Sequence, residues 1–415
     1  GVSPDEIERG EVVSTPGWLR PTRAVDARLR LLEELHKDFV RSGAELSAAD
    51  KETLKELNQE FPNSEYDQKS KELLTQLFLS TRDYQAALET LETINNKSPK
   101  MKEAYQKVAY YRGVQHFNNN DLGQADRLFN TSLQNPVDAN ITAQTYFWKA
   151  EVDMRQQEYE NAIINYNKYM NLAGARRFPT ESSQAAANYG LAYAYFKMDR
   201  FGSALPYFER SLMELEQMTA GPSKRFKDQL YPDVVLRMAD AQFMLKDYQK
   251  ALANYQKVIN REYPDQDYAL FQKGMIEGLV DQPQDKIRTM KDLYARYPNS
   301  PYYDDAVYQA ANTHFLENQN NQAINLFNKL LSEKPKSRHV VQSLLKLSLI
   351  YFQDGDYARA VDYAQRVNEN YPGTPESVQA NSIMRETAII TNNPDYYVAK
   401  SASEQDSLYY QIAEK

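Results

Sequence analysis

The chain has 415 residues, 42% of them hydrophobic and 26% charged, with 14 Gly and 18 Pro, which describes an ordered protein larger than one ordinary core. The formal net charge of −8 offers no basic footprint for a phosphate backbone, so we expect no nucleic-acid partner. Zero Cys excludes disulfides, zinc thiolate sites and cysteine nucleophiles, and with only four His we predict no metal and no cofactor.

The first 21 residues, GVSPDEIERGEVVSTPGWLRP, are punctuated by Gly and Pro and predict an irregular or strand-like segment. They contain no basic stretch followed by an apolar one, and no later apolar run approaches the roughly 18 residues of a bilayer span. We therefore expect no signal peptide and no transmembrane segment. Residues 1–32 resemble the end of the second domain of translation elongation factors, the selenocysteine-specific factor especially. No nucleotide-binding domain accompanies them, so GTP binding is not implied.

Residues 31–60 resemble a helical segment of the thimet-type oligopeptidases. Those enzymes need an HExxH motif for zinc, and the chain has none. Leu32, Leu35 and Phe39 recur near the helical period, so we predict a helical cap or linker over 33–64 that stacks on the next hairpin. We interpret residues 1 to 60 as foreign to the repeat protein that follows.

From about residue 65 onward a phrase recurs in which a small turn and an aromatic residue precede an Ala. That Ala falls at positions 87, 125, 162, 204, 251, 323 and 360, and the one long gap hides a degenerate unit over 278–298. A second small residue stands twelve positions before the Ala in six units: Gly113, Ala150, Ala192, Ala239, Ala311 and Ser348. Two antiparallel helices approach closely only where side chains are small, so the pattern predicts a helical hairpin repeat.

This pattern resembles the tetratricopeptide repeat, and turns such as YPNSPYYDD at 297–305 resemble those of bacterial envelope repeat proteins. Among these are the cell-division coordinator family and the lipoprotein of the outer-membrane β-barrel assembly machine. The fold class implied is all-α, a superhelical solenoid of about eight antiparallel helix pairs over 65–392. Residues 393–415 predict the start of a further, truncated hairpin.

Two predicted connections, at 171–184 and 218–233, are longer than the rest and carry the main basic residues. The five are Arg176, Arg177, Lys224, Arg225 and Lys227. Long loops are a frequent place for recognition, although solvated charge is the alternative interpretation.

Catalytic motifs are absent from the sequence: there is no HExxH, GxxxxGK[ST], GxSxG or GxGxxG. We therefore predict that the chain is not an enzyme. A stacked array of hairpins offers instead a groove lined by the first helix of each pair. The positions predicted to face this groove, and to bind a partner, are Tyr110, Phe147, Glu151, Tyr189, Tyr193, Asp233, Asp240, Tyr308 and Asn312.

Tyrosine suits capture of a protein or peptide because it offers a large rigid surface with a polar tip. The alternative is that these aromatic residues only bridge neighbouring helices. Glu151, Asp233 and Asp240 favour a basic or amide-rich partner over an acidic one.

The function predicted is a protein interaction scaffold in a bacterial envelope assembly, in the periplasm or at the periplasmic face of the outer membrane. Resemblance to envelope repeat proteins, and a Tyr-, Asn- and Gln-rich composition without Cys, point to a Bacteroidota-like source. One alternative is a periplasmic chaperone for outer-membrane protein clients. A peptidase-related role is a third and depends only on residues 31–60.

Overall fold

The computed structural model describes residues 52, 54–56, 59, 60, 62, 65–173, 180–397 and 401–414. The strand-like segment and the two fragment resemblances predicted at the N-terminus lie almost wholly outside these residues. Within the described ranges the regular structure is α-helical, with two short 3-10 turns and no strand.

Sixteen of the described helices form eight consecutive hairpins, and we call the first helix of each pair its A helix and the second its B helix. The pairs are α1 (Glu65–Ser80) and α2 (Tyr84–Glu92), α3 (Pro99–Asn118) and α4 (Leu122–Gln134), α5 (Ala139–Arg155) and α6 (Tyr159–Ala173), α7 (Gln184–Lys197) and α8 (Phe201–Glu216), α9 (Gly221–Met244) and α10 (Tyr248–Asn260), α11 (Gln266–Leu279) and α12 (Pro283–Arg296), α13 (Tyr303–Leu316) and α14 (Asn320–Glu333), and α15 (Val340–Gln353) and α16 (Tyr357–Asn370). Helices α17 (Pro375–Thr391) and α18 (Ala402–Ala413) follow.

The turn inside each hairpin has the same backbone geometry. A residue with positive φ stands two positions before every B helix; the eight are Arg82, Asn120, Gln157, Asp199, Lys246, Asp281, Asn318 and Gly355. The next N–H bonds back to a carbonyl of the A helix, as from Asp83 N to Phe78 O at 2.8 Å. This is the Schellman type of helix ending, in which a left-handed residue lets the chain reverse. Of these eight residues, only Gly355 adopts the left-handed conformation without the steric cost that a Cβ brings.

Small residues let helices approach closely, both within a hairpin and between neighbouring hairpins. Gly190 on α7 lies so close to Tyr166 of α6, in the preceding hairpin, that an added Cβ would stand 2.3 Å from the tyrosine hydroxyl. At Gly113 on α3 the same atom would stand 2.6 Å from the ring of Phe129. Both ring side chains are fully buried, so the missing Cβ is the space in which they pack.

The degenerate unit forms a hairpin by a different fit between its helices. Lys286 on α12 occupies the position where other units have Ala, and its aliphatic stem would lie 2.9 Å from a Cβ at Gly278. Gly278 replaces the large apolar residue that the other A helices carry at that position. The Lys286 ammonium donates to Oε1 of Gln309 on α13 at 2.8 Å, and burial lowers its pKa. A lysine therefore fits at position 286 because the facing helix has Gly278, which has no side chain, at the point of contact.

One predicted connection is wrong. Residues 221–233 are the first half of α9, so Lys224, Arg225 and Lys227 lie on a helix and not in a loop. Pro232 lies inside α9, where it removes a single backbone donor and does not end the helix. The segment before it contains Lys224, Arg225, Lys227, Gln229 and Leu230, which are good helix formers. Arg176 and Arg177 lie outside the described residues.

The chain divides into two compact units, Gly1–Phe226 and Lys227–Lys415. In the first, Leu54 is 1% exposed and packs in one apolar cluster with Leu74 and Leu77 of α1. In the second, Leu408 of α18 is fully buried in a cluster with residues of α15, α16 and α17. Tyr397 donates to Glu404 ahead of α18, and burial together with that carboxylate raises the pKa of Tyr397 to about 12.

Candidate functional site

Two of the predicted groove residues lie inside the core of the first unit. Phe147 is 1% exposed and packs edge-on against Tyr166 and Tyr169, with ring centroids 5.8 and 5.4 Å away. Tyr110 is 5% exposed and its hydroxyl donates to Oε1 of Gln144 at 2.9 Å. Burial raises the pKa of Tyr110. Both therefore join neighbouring helices, and for these two positions the prediction of a surface side chain is wrong.

Glu151 lies against the buried Tyr166. The Tyr166 hydroxyl donates to Oε1 of Glu151 at 2.5 Å. Burial raises the pKa of Glu151, while the hydrogen bond from Tyr166 and the charge of Arg155 oppose that shift. The carboxylate is thus committed to an internal hydrogen bond, while the residue as a whole is half-buried.

Tyr189 and Tyr193 form one half-buried aromatic stack along α7. Their rings lie 5.8 Å apart and nearly parallel, and Tyr193 continues onto Phe196 at 6.1 Å. The Lys197 ammonium stands 5.2 Å from the Tyr193 ring centroid. The stack contains both aromatic residues predicted on α7, and a cation already contacts one end of it.

Asp233 and Asp240 are brought together on α9 by a residue that the prediction did not name. Arg237 pairs through Nε with Asp233 at 3.3 Å and through Nη1 with Asp240 at 2.9 Å. Asp240 is 6% exposed and also accepts from the hydroxyls of Tyr255 at 2.6 Å and Tyr268 at 3.0 Å. Burial raises the pKa of Asp240 although all three partners oppose it. Asp240 is a structural anchor and does not face a partner.

Beside this network a cleft of about 350 Å³ opens in the second unit; we call it the Tyr302 cleft. Residues of three consecutive hairpins line it, namely Leu236, Arg237, Asp265, Asp267, Tyr268, Pro301 and Tyr302. The two tyrosine rings are tilted against each other at 5.7 Å, and Tyr302 stacks on Phe271 at 5.2 Å. The cleft therefore has a rigid aromatic wall.

The field in the Tyr302 cleft is negative. Burial raises the pKa of Tyr302, the carboxylates of Asp267 and Asp265 raise it further, and Arg237 opposes them. Asp267 accepts from Ser300 Oγ at 2.6 Å and from the Tyr268 N–H at 2.9 Å, which fixes the direction of its carboxylate. Arg237 is already shared between two carboxylates on its own helix. A cation entering the cleft would meet two acids and two aromatic faces.

Tyr308 is joined to the next hairpin by ring stacking. The imidazole of His339, at the start of α15, lies parallel to the Tyr308 ring with centroids 4.3 Å apart. His339 Nε2 and Arg338 Nη2 both stand 2.5 Å from Oδ1 of Asp305 on α13. Asn312, one turn after Tyr308, is half-buried. This part of the predicted surface is therefore a joint between two hairpins.

A second cleft, of about 420 Å³, lies in the first unit between α4, α5 and α6. Its lining is polar and consists of Asp126, Lys149, Asp153, Gln156, Glu158, Asn161, Ile164, Asn165 and Lys168. Lys149 pairs with Asp126, and Asn165 donates to Asp153 at 2.7 Å. These polar groups bind one another across the cleft.

Sequence reasoning missed the residues that make the Tyr302 cleft. Asp265 and Asp267 lie at the start of α11, and Tyr302 precedes α13, whereas the predicted positions were counted along helices. The YPNSPYYDD segment is predicted only as a turn, although its Tyr and Pro residues are of the kind that line binding surfaces. In the described part of the chain no group of three His, Asp or Glu is placed to hold a metal ion. The described helices include none long and apolar enough to cross a bilayer.

Family models match three parts of the chain. Residues 303–408 match the outer membrane lipoprotein family YfiO, and residues 185–213 and 233–265 match tetratricopeptide repeat models. The chain therefore carries tetratricopeptide repeats, whose general role is protein interaction, and a domain similar to YfiO at its C-terminal side. Tyr189, Asp233 and Tyr308 each fall within one of the matched ranges.

Solved structures of similar repeat proteins align at low identity. They include the C-terminal part of a TPR repeat-containing protein from Cytophaga hutchinsonii, at 15% identity and TM-score 0.45 over 65% of this chain and 97% of that one. A tetratricopeptide repeat protein from Parabacteroides merdae aligns at 13% identity and TM-score 0.41 over 68% and 98%. The pilF protein of Pseudomonas aeruginosa aligns at 13% identity and TM-score 0.39 over 59% and 98%. No curated protein matches the sequence.

Proposed function

We propose that the chain is a non-enzymatic interaction scaffold in a bacterial envelope assembly, and that it binds a protein partner through the surface formed by its A helices and the turns that precede them. Tetratricopeptide repeats in two parts of the chain support the binding role. The similarity of residues 303–408 to an outer membrane lipoprotein family supports a location in the periplasm or at the periplasmic face of the outer membrane.

The observation that carries this proposal is the Tyr302 cleft. Asp265 and Asp267 give it a negative field, and the rings of Tyr268 and Tyr302 form one wall. A Lys or Arg side chain of the partner would gain both charge attraction and contact with an aromatic face. The partner class proposed is therefore a protein segment with a basic residue.

The first experiment is co-purification of the full chain with its partners from envelope extracts. The variant for the charge term is the double change Asp265→Asn and Asp267→Asn, since Asn tolerates the left-handed backbone at 265, where φ is 62°. Tyr302→Ala removes the aromatic wall. We expect each variant to weaken recovery of a stoichiometric partner by about three- to tenfold, from the usual strength of exposed charge pairs and cation–π contacts.

Tyr409→Ala is the matched control, because Tyr409 is a half-exposed tyrosine on α18 that takes no part in the cleft. Unchanged recovery in both cleft variants would contradict this site. The double variant Tyr189→Ala and Tyr193→Ala applies the same test to the aromatic stack on α7. A scaffold should recover a few partners at fixed stoichiometry, whereas the alternative, a chaperone for outer-membrane proteins, should recover a broad set of clients.

A further inference from the structure

Three large apolar side chains stand exposed at the ends of consecutive A helices in the second unit. Met244 is the last residue of α9, Leu279 of α11 and Leu316 of α13, and they are 56%, 59% and 65% exposed. We call these three residues the apolar ridge. Side chains of this size cost free energy when they remain in water, so three at one repeated position need an explanation.

The three residues share one register in the repeat. Each follows by five positions a small buried residue, Ala239, Gly274 or Ala311. The register therefore places them on the same edge of their hairpins, directly before the left-handed turns. At the same position the other A helices from α3 onward carry polar residues, namely Asn118, Arg155, Lys197 and Gln353. The ridge is thus specific to three hairpins, and the repeat fold does not require an apolar residue at this position.

The spacing along the ridge is inferred from the contacts between consecutive hairpins. Helices α9 and α11 touch through the bond from Tyr268 to Asp240, and α11 meets the start of α13 through the stack of Phe271 on Tyr302. Packed helices lie about 8–10 Å apart. Seven residues of an α-helix rise about 10 Å, so apolar residues at every seventh position would match three ridge residues in turn.

Charge changes sign from one end of the ridge to the other. At the α9 end Lys246 is exposed, two residues beyond Met244, and forms no ion pair within the described residues. At the α11 and α13 end the exposed groups are Asp281 and Glu317, which likewise form no ion pair in that part of the chain. Beyond them Asp354 is exposed as well and accepts only a hydrogen bond from Asn320 at 3.1 Å.

We propose that the apolar ridge binds an amphipathic helix of a partner protein, with apolar residues at every seventh position. Its acidic end lies against Lys246 near Met244 and its basic end against the carboxylates near Leu316. Acidic residues at the first turn and basic residues at the last turn also suit the dipole of the bound helix itself, and the charges beside the ridge set the direction in which it binds. This interface lies outside the Tyr302 cleft and does not depend on the function proposed for it.

The test uses the full chain and a labelled synthetic peptide of about 18 residues, long enough for three apolar positions seven apart. The peptide carries Leu at those positions, Glu in its first turn and Lys in its last, and binding is followed by fluorescence anisotropy. We expect the triple change Met244→Ser, Leu279→Ser and Leu316→Ser to weaken binding by at least about tenfold, because each truncation removes buried apolar area. All three positions are exposed, so the fold should be kept, which circular dichroism checks.

Val378→Ser is the matched control, since Val378 is 63% exposed on α17 in the same unit. Its affinity for the peptide should stay within about twofold of the unchanged chain, because a surface change away from the interface has little effect. A peptide of equal composition with Glu and Lys exchanged should bind about three- to tenfold more weakly, from the usual strength of exposed charge pairs.

Three results would overturn the proposal. The first is no binding of the peptide, and the second is equal binding by the triple variant. The third is concentration-dependent dimers in sedimentation that the triple variant abolishes, which would assign the ridge to a second copy of this chain.

Discussion

Substitution of Gly190 by Ala tests whether the close approach of α7 to Tyr166 is as tight as the structure requires. The added Cβ would stand 2.3 Å from both Cζ and Oη of Tyr166, whose side chain has no exposed surface. The ring cannot withdraw without losing its hydrogen bond to Glu151 and its contact with Phe147. Overpacking of a filled core costs about 1–3 kcal/mol, and Ala regains about 0.5–1 kcal/mol of helix propensity over Gly. We expect a net loss of about 1–2 kcal/mol of stability.

The measurement is urea unfolding followed by the fluorescence of Trp148, which lies 5.5 Å from Phe147 and reports on this core. Gly123→Ala and Gly202→Ala are the controls, because nothing lies within 4 Å of a Cβ at either position. Both should be neutral or slightly more stable, by up to about 1 kcal/mol. If the Gly190 variant were as stable as these controls, α6 and α7 would have room for a Cβ that the structure denies, and the close approach of these two helices would be refuted.

Two further changes test the charged groups of the core. Glu151→Gln keeps the acceptor for the Tyr166 hydroxyl and removes the charge. Because burial raises the folded pKa of Glu151 above its unfolded value near about 4.3, stability should fall as pH rises through that folded pKa, and the variant should show a smaller fall in urea unfolding between about pH 4 and 7. Gly278→Phe should destabilise the second unit by about 1–3 kcal/mol, and Lys286→Ala should relieve much of that loss; a cycle showing simple additivity would refute direct contact.

The periodicity of small residues was enough to predict the hairpins, but not the way in which they turn. Polar turn phrases such as TRD and QQE mark an ending, and the helical period switches phase across them. The identities of Arg82, Gln157 and Lys246 do not predict a left-handed backbone, because residues with a Cβ seldom adopt that conformation. The conformation is imposed by the packing of both helices, which must reverse within a few residues. At these turns, the packing of the two helices outweighs the backbone preference of the single residue.

The prediction of the groove residues was wrong for Phe147 and Tyr110 because the position of a residue along a helix does not determine how deeply its side chain is buried. Phe147 and Tyr189 each stand three residues before the small residue of their A helix, Ala150 or Ala192, yet Tyr189 is half-buried and Phe147 is 1% exposed. The difference lies in the neighbours: Tyr166 and Tyr169 of α6 both pack edge-on against Phe147, whereas Tyr189 stacks on Tyr193 and meets one ring of its partner helix, Phe208, at 6.2 Å. Such neighbours lie on the partner helix, and a single helical wheel cannot show them. The Tyr302 cleft was missed for a related reason, since three hairpins contribute to it.

The hairpin of α11 and α12 departs furthest from the repeat, and it is the middle one of the three hairpins that both proposed interfaces share. It has Lys286 where other units have Ala and Gly278 where they have a large apolar residue. The same α11 carries Tyr268 in the cleft and Leu279 in the ridge. Real proteins break local rules mainly where function requires it, at some cost in stability. If this holds here, restoring the repeat with Gly278→Phe and Lys286→Ala should leave the fold intact and weaken partner binding, as measured by co-purification, whereas a purely structural exchange would leave binding unchanged.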